Sequence, residues 1–491
     1  MAATSPKQME AAQAARVLEK ALSALKGRDY TIADAAAKSG LPLRDAAAGL
    51  HALVSEYRGH LRVTSDGDLL FRFPAGFTKP WETRTRLAEL GRRASRALLG
   101  IGRFVVRAWI SVVLVGYALI FLALLIAMIF ARSGGDSRSS GRGVGVEVGY
   151  VFFRVVMDAL FWTFHPFSPF AYVNYGAPAA ARRQEKKKDE TPFYDKVNRF
   201  FFGPDLPEPD PLIQERRILA EIRAQKGRIG LADVIRVTGL PRDEADPLMS
   251  RLLLDYEGEV EVSEEGGIFY RFEALRKTVD DGAEVSRPQP IWARLKRLVP
   301  LTGNEPGTNF IIAGLNGFNL IMSWYALGAS LTLAKLGWIF QLLQHHELRG
   351  RLEPPADSTA IALGVVPLVF SLALFALPLA RAAYRPFKQR RVAQENGRRA
   401  ILREILEHVG TGEVTDASLR AAWKSAAGTE PDEKALTREV TALGGDVDYE
   451  SGKVKYRFPD LEAEARALEA EREAAAESEA KVGEVVFSSE D

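Results

Sequence analysis

The run from Phe104 to Phe130, FVVRAWISVVLVGYALIFLALLIAMIF, constrains this chain most. A helix rises about 1.5 Å per residue, so about 20 apolar residues cross the hydrocarbon core of a bilayer. This run is longer than that, and its one charge, Arg107, sits near an end where the side chain can reach the headgroups. Three further stretches follow the same logic. Ala360–Leu379 is a second clear run and ends in RAAYRPFKQRR. Asn309–Leu343 is too long for one crossing and carries Asn316, Asn319 and Lys335, so it is either a tilted span with an extension or a broken helix. Val148–Tyr175 carries Arg154 and Asp158, four residues apart and hence on one helix face. It either crosses the bilayer or lies at its surface.

Charge placement favours four spans. Arg and Lys cluster before the first (RTRLAELGRRASR), after the second (ARRQEKKK), before the third (ARLKR) and after the fourth (RPFKQRR). The positive-inside rule puts all four flanks in the cytoplasm, so two hairpins are expected. The opening MAATSPKQME lacks a signal-peptide pattern, and the termini are expected to be cytoplasmic. The rest of the chain is charged enough to leave a net charge of only +2, which is no nucleic-acid polycation.

The polar parts repeat. Thr31–Pro74 and Ile229–Phe272 align at a constant offset. Gly40-Leu41-Pro42 falls on Gly239-Leu240-Pro241, Tyr57 on Tyr256, Gly59 on Gly258, Gly67 on Gly266, and Phe71-Arg72-Phe73 on Tyr270-Arg271-Phe272. A third, diverged copy keeps Tyr456-Arg457-Phe458-Pro459 after Gly452. The first two copies predict an amphipathic helix, a short helix ended by Gly, a helix started by Pro, and a β-hairpin, and the third shows helical stretches from Arg399 to Val409 and from Asp432 to Leu443. That order resembles the winged-helix fold. Gly40, Pro42, Tyr57, Arg72, Gly239, Pro241, Tyr256, Arg271 and Arg457 are assigned to turns, helix starts, core and hairpin packing.

The predicted fold is therefore α+β with transmembrane helices: three winged-helix-like cytoplasmic domains separated by two transmembrane helical hairpins. The boundaries are domain 1 at 1–78, a basic juxtamembrane linker at 79–103 and hairpin 1 at 104–175. A basic, Pro-rich linker at 176–211 leads to domain 2 at 212–278, and a linker at 279–308 to hairpin 2 at 309–383. Domain 3 is 384–460 and an acidic helical tail is 461–491. That tail is expected to be a solvated or partly disordered helix. Its last residues, VGEVVFSSED, could add a strand to a sheet, of a partner or of domain 3.

Phe193–Ile222 (FYDKVNRFFFGPDLPEPDPLIQERRILAEI), the hairpin GEVEVSEEGGIFYRF, the span GVVPLVFSLALFALPLARAAY and the end VGEVVFSSED carry a resemblance. Together they look like a membrane-protein family of cyanobacteria and plant chloroplasts, whose plant members sometimes bear a label of iron–sulfur cluster biosynthesis. Here that label has no ligand chemistry beneath it, because the chain has no cysteine. The use of Ala, Arg and Glu suggests a bacterium, and with it the inner membrane.

No catalytic, cofactor or metal site is expected. GxxxxGK[ST], HExxH and GxSxG are absent. His345-His346-Glu347 cannot converge on one ion from a helix, since neighbours diverge by about 100°. A DNA reader presents Arg, Lys, Asn or Gln on the second helix of its helix–turn–helix. In the second copy that helix begins Arg242, Asp243, Glu244, Ala245, Asp246, which repels phosphate. These four charged residues are the candidate surface for a protein partner, including a second copy. Arg154, Asp158 and Lys335 are the candidate intramembrane polar residues. The leading function is a non-enzymatic scaffold or adaptor at the membrane, whose partners are the bilayer and cytoplasmic protein. The alternatives are a membrane-tethered DNA-binding regulator and a channel or transport accessory.

Overall fold

The computed structural model describes residues 9–23, 28–74, 76–77, 108–126, 191–207, 209–277, 279, 286–344, 353–356, 358–410, 414–450, 453–477 and 482–489. The chain divides into two compact units. One gathers 1–83, 208–298 and 389–491, and the other gathers 84–207 and 299–388.

In the first unit one element order recurs three times. Copy one is α1 (Ala11–Leu22), β1 (Asp29–Tyr30), α2 (Ile32–Ser39), α3 (Leu43–Tyr57), β2 (His60–Thr64) and β3 (Leu69–Arg72). The second unit's helices α4 (Ala108–Ile126) and α5 (Phe193–Phe202) come next along the chain. Copy two then runs α6 (Ile213–Ala224), β4 (Arg228–Ile229), α7 (Leu231–Thr238), α8 (Arg242–Asp255), β5 (Glu259–Val262) and β6 (Ile268–Arg271). After α9 (Pro306–Gly328), α10 (Leu333–Gln344) and the start of α11 (Val366–His408), copy three uses the end of α11 as its first helix. It continues with β7 (Val414–Thr415), α12 (Asp416–Ala427), α13 (Glu433–Ala442), β8 (Asp446–Glu450) and β9 (Lys453–Arg457). Each sheet is antiparallel with the last strand in the middle: β1-β3-β2, β4-β6-β5 and β7-β9-β8.

The same local chemistry builds each copy. Thr31 and Thr415 cap α2 and α12 by accepting from the backbone N–H of Asp34 and Ser418. Gly40, Gly239 and Gly428 end the short helices in the left-handed region, at φ of 82°, 71° and 72°. Pro42 and Pro241 then stand at the N-caps of α3 and α8. Gly59 and Gly258 lie flat against Phe73 and Phe272, where a Cβ would fall 2.7 and 2.5 Å from the ring. In copy three that place is taken by Gly445 against Phe458, at 2.8 Å. Gly452, expected in the third hairpin, lies outside the described residues.

The three copies share one apolar core, which includes Leu18, Leu50 and Phe71 from the first, Ile218, Leu252 and Phe272 from the second, and Ile401, Leu419 and Phe458 from the third. The expectation of three separate modules is therefore revised: chain order separates them, and packing joins them. The junctions repeat too. The carbonyl of Gly40 accepts from the Tyr256 hydroxyl at 3.4 Å, and the carbonyl of Gly239 accepts from Arg398 at 2.8 Å.

The solvated tail is also revised. Helix α14 (Pro459–Glu477) buries Leu461, Glu464, Leu468 and Ala475 along one face and packs on β6 and β4. Strand β10 (Val485–Ser488) then pairs antiparallel with β2, making the first sheet β1-β3-β2-β10. The tail thus joins the sheet of the first copy, not the third.

The second unit holds α4, α5, α9, α10 and the start of α11. Three helices are long and apolar enough to cross a membrane: Ala108–Ile126, Pro306–Gly328 and Ile361–His408, with mean hydropathies of 2.7, 1.4 and 2.4 in their best windows. Leu114 and Val115 cluster with Ile312, Leu315 and Leu374, and Phe121 clusters with Met322, Ala326 and Leu363. Phe310, Ile321 and Trp324 of α9 face outward. Asn309–Leu343 is broken, not one span: the helix stops at Gly328, Ser330 takes a φ of 49°, and α10 restarts at Leu333. The expected span at Val148–Tyr175 lies outside the described residues, as do both basic linkers' cores at 79–103 and 176–190.

Candidate interaction surface

Helix α8 has two faces. Ala245, Met249, Leu252 and Tyr256 fall on one side and are buried, which fixes the helix's rotation. Asp243, Glu244 and Asp246 are thereby turned outward and exposed. Asp243 and Glu244 lie in the first turn, where the helix dipole favours negative charge. Arg242 is half-buried and pairs with Asp460 at 3.3 Å, at the start of α14. The predicted patch therefore splits: Arg242 fastens the tail helix and the three acids face solvent. Burial pushes the Tyr256 hydroxyl well above its usual range.

Sequence reasoning missed an ionic junction built on α6 and α7. Glu221, 1% exposed, accepts from Arg236 at 3.0 Å and from Arg287 at 2.7 Å. Asp233 accepts from Arg287 at 2.9 Å and from Arg472 of α14. Glu464 of α14 accepts the Ala232 N–H at 2.9 Å, and its burial beside Asp233 pushes its carboxyl up to about 7. Asp233, Arg236, Arg287, Glu464 and Arg472 line a cleft of about 730 Å³ together with Trp292 and Leu468. The signal was present in two glycines. At a Cβ on Gly230 or Gly267 the side chain would strike Glu464 or the backbone of Ala463. Copy one has Thr31 and Asp68 at these two positions, so copy two keeps glycine where a helix must lie on its backbone.

The corresponding contact between copies one and two is the Asp34–Arg223 pair at 3.0 Å, supported by Lys277 on Asp68 at 2.9 Å. A cleft of about 750 Å³ opens beside it, lined by Arg44, Asp45, Leu254 and Asp255. The outer edges of the first two sheets differ. Strand β2 is covered by β10, whereas β5 ends its sheet and leaves Val260 and Val262 more than half exposed.

The repeat arginines lie on the hairpin strands. Arg72 lies 3.8 Å from Asp29, Arg271 pairs with Glu259 at 2.7 Å and Glu261 at 2.8 Å, and Arg457 pairs with Asp448 at 2.8 Å. Lys335 donates to the carbonyl of Ala329 at 3.0 Å, so it caps the C-terminal end of α9. Arg154, Asp158 and the His345-His346-Glu347 run lie outside the described residues.

An uncharacterized chloroplastic protein of Arabidopsis thaliana is 27% identical to this chain over 264 residues, which is 51% of the chain and 47% of the relative. The chain thus spans about half the length of the curated relative it matches. This similarity supports the plant-chloroplast side of the resemblance. No family model matches, and no solved structure matches.

Proposed function

We propose that this protein is a non-enzymatic, multi-pass membrane scaffold whose three repeats are winged-helix domains used to bind protein. The observation that carries the reading is the outward face of α8. It stands where a DNA-reading winged helix presents cations, and it carries Asp243, Glu244 and Asp246 exposed. The three helices of sufficient length and apolarity, with the outward Phe310, Ile321 and Trp324, support insertion in a bilayer. The basic flanks support cytoplasmic termini, and composition supports a bacterial inner membrane. The fused core supports a rigid platform in place of independent modules.

The test is crosslinking in cells followed by purification of the full-length protein. The comparison is wild type against the triple variant Asp243→Lys, Glu244→Lys, Asp246→Lys. Recurrent protein partners that disappear in the variant, while membrane insertion persists, are expected. Enriched DNA sites, or a partner set unchanged by the triple reversal, would contradict the reading.

A further inference from the structure

The exposed face of α8 does not end at Asp246. Asp243, Asp246, Ser250 and Leu254 recur at three- and four-residue spacing, so they form one stripe along the helix, and all are exposed. Its ends lie about 16 Å apart along the axis. The stripe is acidic where it starts and apolar where it stops, since Leu254 is 83% exposed. Leu254 also lines the cleft of about 750 Å³ to which copies one and two both contribute.

The repeat shows what such a cleft holds. Thr31, Ala33 and Asp68 line it, and at the constant offset they are the positions of Gly230, Ala232 and Gly267 in copy two. In copy two a helix is seated there. Glu464 of α14 accepts the Ala232 N–H, and α14 leaves no room for a Cβ on Gly230 or Gly267. Among the described residues, copy one receives only a short segment at this place. It is the single turn Glu273–Leu275 followed by Lys277, which reaches Asp68 at 2.9 Å and whose carbonyl accepts from the Thr31 hydroxyl at 3.0 Å. The cleft is thus the part of a helix seat that this segment leaves open.

The lining states the chemistry of the missing helix. Ile32, Leu43 and Leu69 join Leu254 as apolar surface. The acids Asp45, Asp68, Asp255 and Glu257 outnumber the bases Arg44 and Lys277, and Lys277 is already paired with Asp68. Burial pushes the Asp255 carboxyl above its usual range; Arg251 opposes that, and the charge of Asp45 adds to it. Apolar surface with an excess of acid is complementary to a basic amphipathic helix. We propose that the cleft and the α8 stripe together bind one basic amphipathic helix of a protein partner. Its apolar face enters the cleft beside Leu254, and its Lys or Arg residues meet Asp255, Glu257 and, farther along α8, Asp246 and Asp243. This rests on the reading of α8 as a protein-binding face and adds the partner's chemistry.

The test places a photocrosslinking amino acid at Arg44, an exposed residue of the cleft, in the full-length protein in living cells. The adduct is digested, and the attached peptide is sequenced by mass spectrometry. The expected peptide comes from another protein and carries Lys or Arg on one helical face and apolar residues on the other. Leu254→Asp and Glu257→Lys alter exposed positions and spare the core. Each should lower the adduct yield about tenfold, the loss expected when an interface anchor is removed. An attached peptide that is acidic, or that belongs to this chain, would overturn the proposal. So would a lipid or nucleic-acid adduct, or a yield that neither variant changes. If Arg44 gives no adduct while the same probe at Ser250 gives a protein adduct, the cleft is ruled out and the reading of α8 stands. If neither position gives one, both fail.

Discussion

Glu464 shows how one residue ties the tail to the second repeat. Its folded pKa of about 7 lies above the ordinary 4.5, so between these values the folded chain holds a proton that the unfolded chain has released. The linkage sign follows: stability from this group is full below about pH 4.5 and is lost as pH rises through about 7. The whole span corresponds to about 3 kcal/mol. Asp233 faces Glu464 and disfavours its charge, while the backbone N–H groups of Leu231 and Ala232 and the charge of Arg242 oppose that effect. Urea midpoints measured from pH 5 to 8 should fall with rising pH in wild type, and Glu464→Gln should flatten the slope. A second prediction concerns Gly267. An added Cβ would run into the backbone of Ala463, which a side-chain rotation cannot relieve. Gly267→Ala should cost about 1–3 kcal/mol by denaturant titration. Gly116→Ala in α4, where a Cβ meets nothing within 4 Å, should be neutral or stabilising.

At the scale of elements, the contacts between repeats are ionic as well as apolar. Arg223→Ala would leave Asp34, almost fully buried, without its cation. The remaining bonds from Thr31 and Val279 limit the loss, and a destabilisation of about 3 kcal/mol is expected from chemical unfolding. Strand β10 is held differently. Val485, Val486 and Phe487 stay exposed, so main-chain bonds such as Ser65 N–H to the Glu484 carbonyl and Ser489 N–H to the Leu61 carbonyl carry it. Removing residues 484–491 should speed amide hydrogen exchange at Ser65 and leave the Phe71 region of β3 protected. Because the chain has no cysteine, Val63→Cys with Phe487→Cys, which are register partners, should form a disulfide that reports β10 docking directly.

For the whole molecule, what the sequence revealed follows from the range of the interactions. The repeat was legible because its signals are local: a left-handed glycine, a proline helix start and an alternating hairpin. The apolar helices were legible from length alone, and Ser330 broke Asn309–Leu343 where the reading had left two possibilities open. Asp243, Glu244 and Asp246 were legible as a charged run, and the burial of Ala245, Met249 and Leu252 turns them outward. The fusion of the repeats into one core, the course of α14 and the destination of β10 were not legible. They depend on pairings such as Asp233 with Arg472 and Val63 with Phe487, hundreds of residues apart, that leave no periodic trace. Asn316 and Asn319 appeared in the sequence only as polar interruptions, because their acceptors, the carbonyls of Ser371 and Leu114, come from other helices.

The central claim is that the exposed face of α8 binds protein. It is tested most directly by placing a photocrosslinking amino acid at Ser250, an exposed position on the same helix as Asp246, in the full-length protein in living cells. The account predicts a discrete protein adduct after irradiation, abolished by Asp243→Lys, Glu244→Lys, Asp246→Lys. A nucleic-acid adduct, or no adduct in wild type at native expression, would contradict it.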